Sequence, residues 1–133
     1  MNSKLPMLKG YRVLDFTQFV AGPTCTRILA ESGAEVIKLE LAPFGDRGRV
    51  AGDKPRDKSL RGTSQSTYYF QHNHSKKSFG VDIKQQRGLE LVKALVLKSD
   101  VLVENFSPGV MARAGLSFDD LSQINPKLIM CSI

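Results

Sequence analysis

YRVLDFTQFVAGPTCTRILAESGAEVIKLE, residues 11–40, decides the fold. Val13, Leu14 and Phe16 form a short apolar run with Asp15 near its end, which predicts a strand. Ala21, Gly22 and Pro23 then break the chain, and Pro23 suits a first helical turn because its missing N–H would be unbonded there anyway. Cys25, Ile28, Leu29 and Ser32 recur at helical spacing and predict one apolar stripe. Gly33 supplies the helix stop, and Val36, Ile37 and Leu39 begin a second strand. Strand, helix and strand in so short a span make a βαβ unit, with parallel strands and a right-handed crossover. Ligands of such sheets bind beyond the carboxyl ends of the strands, so the turn at residues 17–24 is the first place to look for chemistry.

The alternation continues downstream. Residues 41–62 are rich in Gly, Pro and charge without apolar periodicity and read as a long loop. Residues 66–72 (STYYFQH) form a short aromatic helix or strand that packs this loop onto the body. Residues 78–83 read as a third strand, 86–99 as the clearest helix with Leu89, Val92, Leu95 and Val96 inward, and 101–104 as a fourth strand. One to two helical turns at 108–114 end at Gly115. Ser117 then caps another helix, with Asp119 and Asp120 on its positive end, which stops at Asn125-Pro126. A fifth apolar run closes at Ile133. The expected architecture is α/β: a Rossmann-like open parallel sheet of about five strands flanked by helices, in one domain over residues 1–133.

Composition narrows the function. No apolar run approaches membrane-spanning length and the first ten residues lack a signal peptide's apolar region, so the expectation is a cytoplasmic protein that meets no membrane. Cys25 and Cys131 lie far apart on apolar faces, which favours free buried thiols over a disulfide, and no CxxC or Cys/His spacing suggests a metal. The net charge of +6 has a local origin: Arg47, Arg49, Lys54, Arg56, Lys58 and Arg61 crowd one loop, and Lys76 and Lys77 form a second pair. A solvated polar loop is the plain reading, and a basic rim for a phosphorylated small molecule is the sharper one. Without a recognition helix, RNP or zinc-finger pattern, the expectation is no nucleic-acid partner. No GxGxxG is present, which argues against a nicotinamide cofactor.

The motifs together carry a resemblance. VLDF-x5-GP-x2-T at residues 13–26, GAEVIKLE at 33–40, GDRGR at 45–49, KKSFGVDIK at 76–84, SDVLVENFSPGVMARAGLSFDDL at 99–121 and INPKLIMCSI at 124–133 follow one another as in class III CoA-transferases. That family includes formyl-CoA transferase, carnitine CoA-transferase and α-methylacyl-CoA racemase. The resemblance implies coenzyme A or an acyl-CoA as substrate, with no tightly bound cofactor. It places CoA contacts on Val20 and Ala21 in the first turn, on Val81, Asp82, Ile83 and Lys84, on Asn105 and Phe106, and on Arg113. Formyl-CoA transferase-like members carry an arginine where Leu41 follows Glu40, and a glutamine at Val20.

Each position has a plainer local explanation: Asn105 as a turn residue, Phe106 as core, Arg113 as a helix-end charge, Lys84 as surface. The family's nucleophilic aspartate lies beyond Ile133, so no catalytic residue is expected here. Asp15 and Asp82 read as strand-end scaffold, Cys25 as inert, and nothing in sequence supplies His72 or His74 with a triad. Three readings remain: an N-terminal part of a transferase, inactive alone; a half-enzyme needing a separate C-terminal partner; and a CoA- or nucleotide-binding module without catalysis. With one face of the last two strands uncovered, the chain is expected to self-associate, as a homo-oligomer or with its missing partner.

Overall fold

The computed structural model describes residues 6–50 and 66–133. Five strands form one sheet: β1 Arg12–Asp15, β2 Glu35–Leu41, β3 Lys77–Val81, β4 Val101–Glu104 and β5 Ile129–Ser132. Their spatial order is β3-β2-β1-β4-β5, and every pair is parallel. The helices are α1 Ala21–Glu31, α2 Thr67–Asn73, α3 Gln86–Val96, α4 Val110–Arg113 and α5 Phe118–Ile124. The aromatic stretch is thus a helix, the third strand begins earlier and stops at Val81, and α3 stops at Val96. The order of strands reverses between β1 and β4, which makes their carboxyl ends the switch point of the sheet.

The two faces of the sheet differ. Leu14, Phe16, Leu39 and Leu102 point to one face and pack with Val92 and Val96 of α3, Met111 of α4, and Leu116, Leu121 and Leu128. This is the main core, and the period-two alternation of the strands against the inward stripe of α3 builds it. The capping box of Ser117 with Asp120 starts α5, and Asn125 ties its end to α3 by donating to the carbonyls of Val96 and Ser99. On the opposite face Val13, Val36 and Val103 pack with Ala34, Leu29 and Ala30.

Helix α1 does not bury the stripe expected of it. Ile28 is exposed and Cys25 half-buried, whereas Gly22, Pro23 and Thr26 face the sheet. Two contacts turn the helix this way. Gly22 lies so close to Thr17 that a Cβ would sit 2.3 Å from the Thr17 Cβ, and the Thr26 hydroxyl donates to Asp15 Oδ2 at 2.6 Å. A buried carboxylate needs donors, and that demand outranks the apolar pattern.

Candidate functional site

Toward the carboxyl ends of β1 and β2 the α1 face of the sheet turns from valines to ions. Asp15 pairs in register with Lys38, and both are buried, as is Asp46 of the loop after β2. Lys38 Nζ lies 2.8 Å from Asp46 Oδ2 and donates to the Thr17 carbonyl at 2.7 Å. Lys76, placed in a solvated pair by sequence, instead reaches inward, its side chain only 1% exposed. It donates to Asp15 Oδ2, the Pro23 carbonyl and Asn73 Oδ1, all within 2.9 Å. Burial alone would raise the Asp15 carboxyl, but the Lys38 and Lys76 ammonium groups outweigh it and hold it below the usual range. Burial also lowers Lys76 to about 8 despite its bond to Asp15.

A second buried acid, Glu40, sits one pleat further along β2. Arg49 clamps it through two hydrogen bonds of 2.5 Å, and the Tyr69 and Ser78 hydroxyls donate to it at 2.8 and 2.6 Å. The Arg49 guanidinium also stacks 3.9 Å above the Tyr69 ring. Arg49 therefore anchors the loop through this clamp, where the sequence suggested either a solvated loop or a basic rim; Lys54, Arg56, Lys58 and Arg61 lie outside the described residues. Burial pushes Glu40 up, but Arg49, Ser78, the Asp46 N–H and Tyr69 together bring it down to about 2. Because that value lies below the ordinary 4.5, the stabilisation is present above pH 4.5 and is lost as pH falls through about 2. Urea unfolding at pH 5 and pH 3 should show this fall, and Glu40→Gln should flatten it; an equal slope in the variant would contradict the clamp.

The residues implied for CoA all lie at the carboxyl edge, but they do not form one pocket. Asp82, Ile83 and Lys84 after β3 join Arg113 and Val110 of α4 around a cavity of about 490 Å3, of the size that holds small ligands. Lys84 and Arg113 are exposed on its rim, and Asp82 Oδ1 accepts the Lys84 N–H at 3.0 Å. Val81 is buried core beneath it. Phe106 packs on the main core and lines a neighbouring cavity of about 510 Å3 with Glu104, Met111, Phe118 and Met130. Helix α4 contributes to both. Val20 and Ala21 are exposed on the first turn, and the Asn105 amide bonds the backbone of Gln18.

Other candidates resolve as scaffold or as incomplete sets. The Cys25 thiol is pushed up by burial, so it stays protonated. His72 Nδ1 lies 3.0 Å from the Thr24 hydroxyl, and His74 Nε2 lies 3.3 Å from Glu31. His74 Nδ1 also faces the Ser75 hydroxyl at 3.4 Å, so Ser75, His74 and Glu31 lie in a row, but all three are exposed and none lines either cavity, and His72 meets a hydroxyl without an acid behind it. Among the described residues no group of His, Cys, Asp and Glu could hold a metal, and no helix is long and apolar enough to cross a membrane. The buried ions were missed because each partner is distant in sequence. One signal was present: Lys38 stands in the middle of an apolar strand, where a charge has to be paired.

Comparison with known proteins agrees with this arrangement. The model of CoA-transferase family III matches residues 8–133. A formyl-CoA:oxalate CoA-transferase of Afipia carboxidovorans is 46% identical over 128 residues, which is 95% of this chain and 28% of the relative. One of Bradyrhizobium diazoefficiens is also 46% identical with the same coverage. A hypothetical protein from Mycobacterium tuberculosis of known structure superposes with a TM-score of 0.83 at 38% identity, over 96% of this chain and 33% of its own. A CAIB/BAIF family protein from Brucella suis gives 0.83 at 36% identity, over 95% and 32%. The chain spans less than a third of the length of these curated relatives. With nearly its whole length matched by one family model, the chain belongs to CoA-transferase family III.

Proposed function

We propose that this chain is the CoA-binding N-terminal part of an enzyme that transfers CoA between an acyl-CoA and a carboxylic acid, and that alone it binds the thioester without turning it over. The observation that carries this reading is the cavity where Asp82, Ile83, Lys84 and Arg113 converge at the carboxyl edge of the sheet. Its two rim cations suit the phosphates of CoA, and its Ile83, Leu89 and Val110 suit the apolar parts of the ligand. The described carboxylates at this edge are engaged in the scaffold: Asp15 is buried among donors, Asp82 caps its own turn, and Glu104 accepts the Phe106 N–H. This supports the reading that the chain alone does not turn the thioester over.

Calorimetric titration with CoA tests the binding. Substituting both Lys84→Glu and Arg113→Glu should weaken it by about a hundredfold, roughly tenfold for each lost phosphate contact. The loss should shrink in high salt, because the contacts are exposed and screened. Unchanged affinity in the double variant would remove this cavity as the site. Formyl-CoA with oxalate, the pair named for the relatives, is the first pair to assay, and turnover by this chain would refute the inactive reading. Ile129 is 64% exposed on β5, with Ile28 exposed on α1, and these support association with a second copy or a partner chain. Light scattering that shows only monomers would count against self-association.

A further inference from the structure

Five backbone groups of the turn after β1, the N–H and carbonyl of Thr17 and of Gln18 and the N–H of Phe19, meet side chains. The Thr17 N–H donates to Asp15 Oδ1 at 2.8 Å, and the Thr17 carbonyl accepts from Lys38 Nζ. The Gln18 N–H donates to Asn105 Oδ1 at 2.8 Å, and Asn105 Nδ2 donates back to the Gln18 carbonyl at 2.8 Å. The Phe19 N–H points toward Asp46 Oδ1 at a longer 3.5 Å. The last backbone rung between β1 and β4 is Phe16 N–H to the Val103 carbonyl. Asn105 thus carries the ladder one step further with its side chain, after the two main chains have parted.

Two features raise this clasp above an ordinary turn. It spans the gap between β1 and β4, the switch point at which sheets of this kind receive ligands. It also precedes Phe19, which holds φ of 68°, a left-handed backbone that a bulky residue adopts only when its surroundings enforce it. Val20 and Ala21 follow directly, so the conformation of Phe19 sets their direction.

We infer that Asn105 is a positioning residue: through its paired bonds to Gln18 it holds Phe19 left-handed and thereby presents the Val20–Ala21 backbone to CoA. The role rests on the CoA reading above, but the clasp itself can be judged without ligand. Asn105→Ala removes both bonds, and the Gln18 amide proton should then exchange at least about tenfold faster while that of Leu14 keeps its rate. The same variant should bind CoA about tenfold more weakly by calorimetry. Phe19→Gly removes the steric cost of the left-handed backbone, so the turn no longer depends on the clasp. In that background Asn105→Ala should cost less than about threefold relative to Phe19→Gly alone, a coupling that a direct ligand contact would not show. An equal loss in both backgrounds, or an unchanged Gln18 exchange rate, overturns the inference. If the unsubstituted protein does not bind CoA, the CoA reading falls, and Gln18 exchange alone decides the clasp. If Asn105→Ala does not fold, Asn105→Asp, which keeps only the acceptor, takes its place with intermediate losses expected.

Discussion

Asp15→Ala should shift the urea midpoint of unfolding down by roughly 2–3 M. The carboxylate accepts four hydrogen bonds: from the Thr17 N–H, the Thr17 and Thr26 hydroxyls, and Lys76 Nζ. Its removal strands the Lys76 ammonium in the interior and leaves Lys38 with Asp46 as its one nearby acid. Breaking a buried pair from one side costs about 3–5 kcal/mol, because the remaining charge keeps its desolvation penalty. The two orphaned hydroxyls add to that, although Thr26 keeps the Gly22 and Pro23 carbonyls as acceptors. Set against a total stability of about 5–15 kcal/mol, the loss takes a large share. At a urea slope of about 1.5 kcal/mol per molar, it becomes the midpoint shift stated.

Asp15→Asn separates charge from shape. The amide keeps an acceptor for Thr17 but provides no counter-charge for Lys76, already lowered to about 8 by burial. Lys76 binds its proton less well folded than unfolded, so its contribution to stability rises as pH climbs from about 8 toward 10.5. In Asp15→Asn that rise should begin at lower pH, because the carboxylate that supported the ammonium is gone. A midpoint for Asp15→Ala within about 0.5 M of the original would show that the cluster adds little to stability, as exposed pairs do.

What the sequence could and could not reveal follows from the range of each interaction. The βαβ opening was legible because Pro23, Gly33 and the apolar runs around them act locally, and the parallel sheet follows from helices alternating with strands, whereas the strand order, which that alternation leaves open, comes from the structure. The phase of α1 was not, because Thr26 turns inward to serve Asp15, eleven residues earlier. Lys76 and Arg49 looked like free cations for the same reason: their acids lie 61 and 9 residues away. At the candidate site, Lys84 and Arg113 are unremarkable by local pattern, and only the family motif singled them out. The structure adds that they share one cavity. It also adds the clasp at Asn105, which joins residues 87 apart.

Gly88→Ala should lower the melting temperature by about 8 °C, although the substitution ought to help the helix that contains it. Gly88 lies in the first turn of α3, where alanine would gain about 1 kcal/mol of helix propensity. Yet a Cβ there would stand 2.0 Å from the Asp82 carbonyl oxygen and 2.8 Å from its carbon. These are backbone atoms at the end of β3, so no rotamer change relieves the overlap. Helix and strand end must separate, which opens the packing of Val92 and Val96 on Leu39 and Val81. Overpacking of this kind costs about 1–3 kcal/mol and more where backbone has to move, so the net loss is about 2 kcal/mol after the propensity gain. For a chain of this length that is about 8 °C. The same displacement moves Asp82, Ile83 and Lys84, so CoA affinity should fall together with stability, unlike a substitution buried beneath α5. Calorimetric scanning and CoA titration of the one variant check both effects. A melting temperature at or above that of the unsubstituted protein would mean that α3 sits further from the strand end than the structure places it.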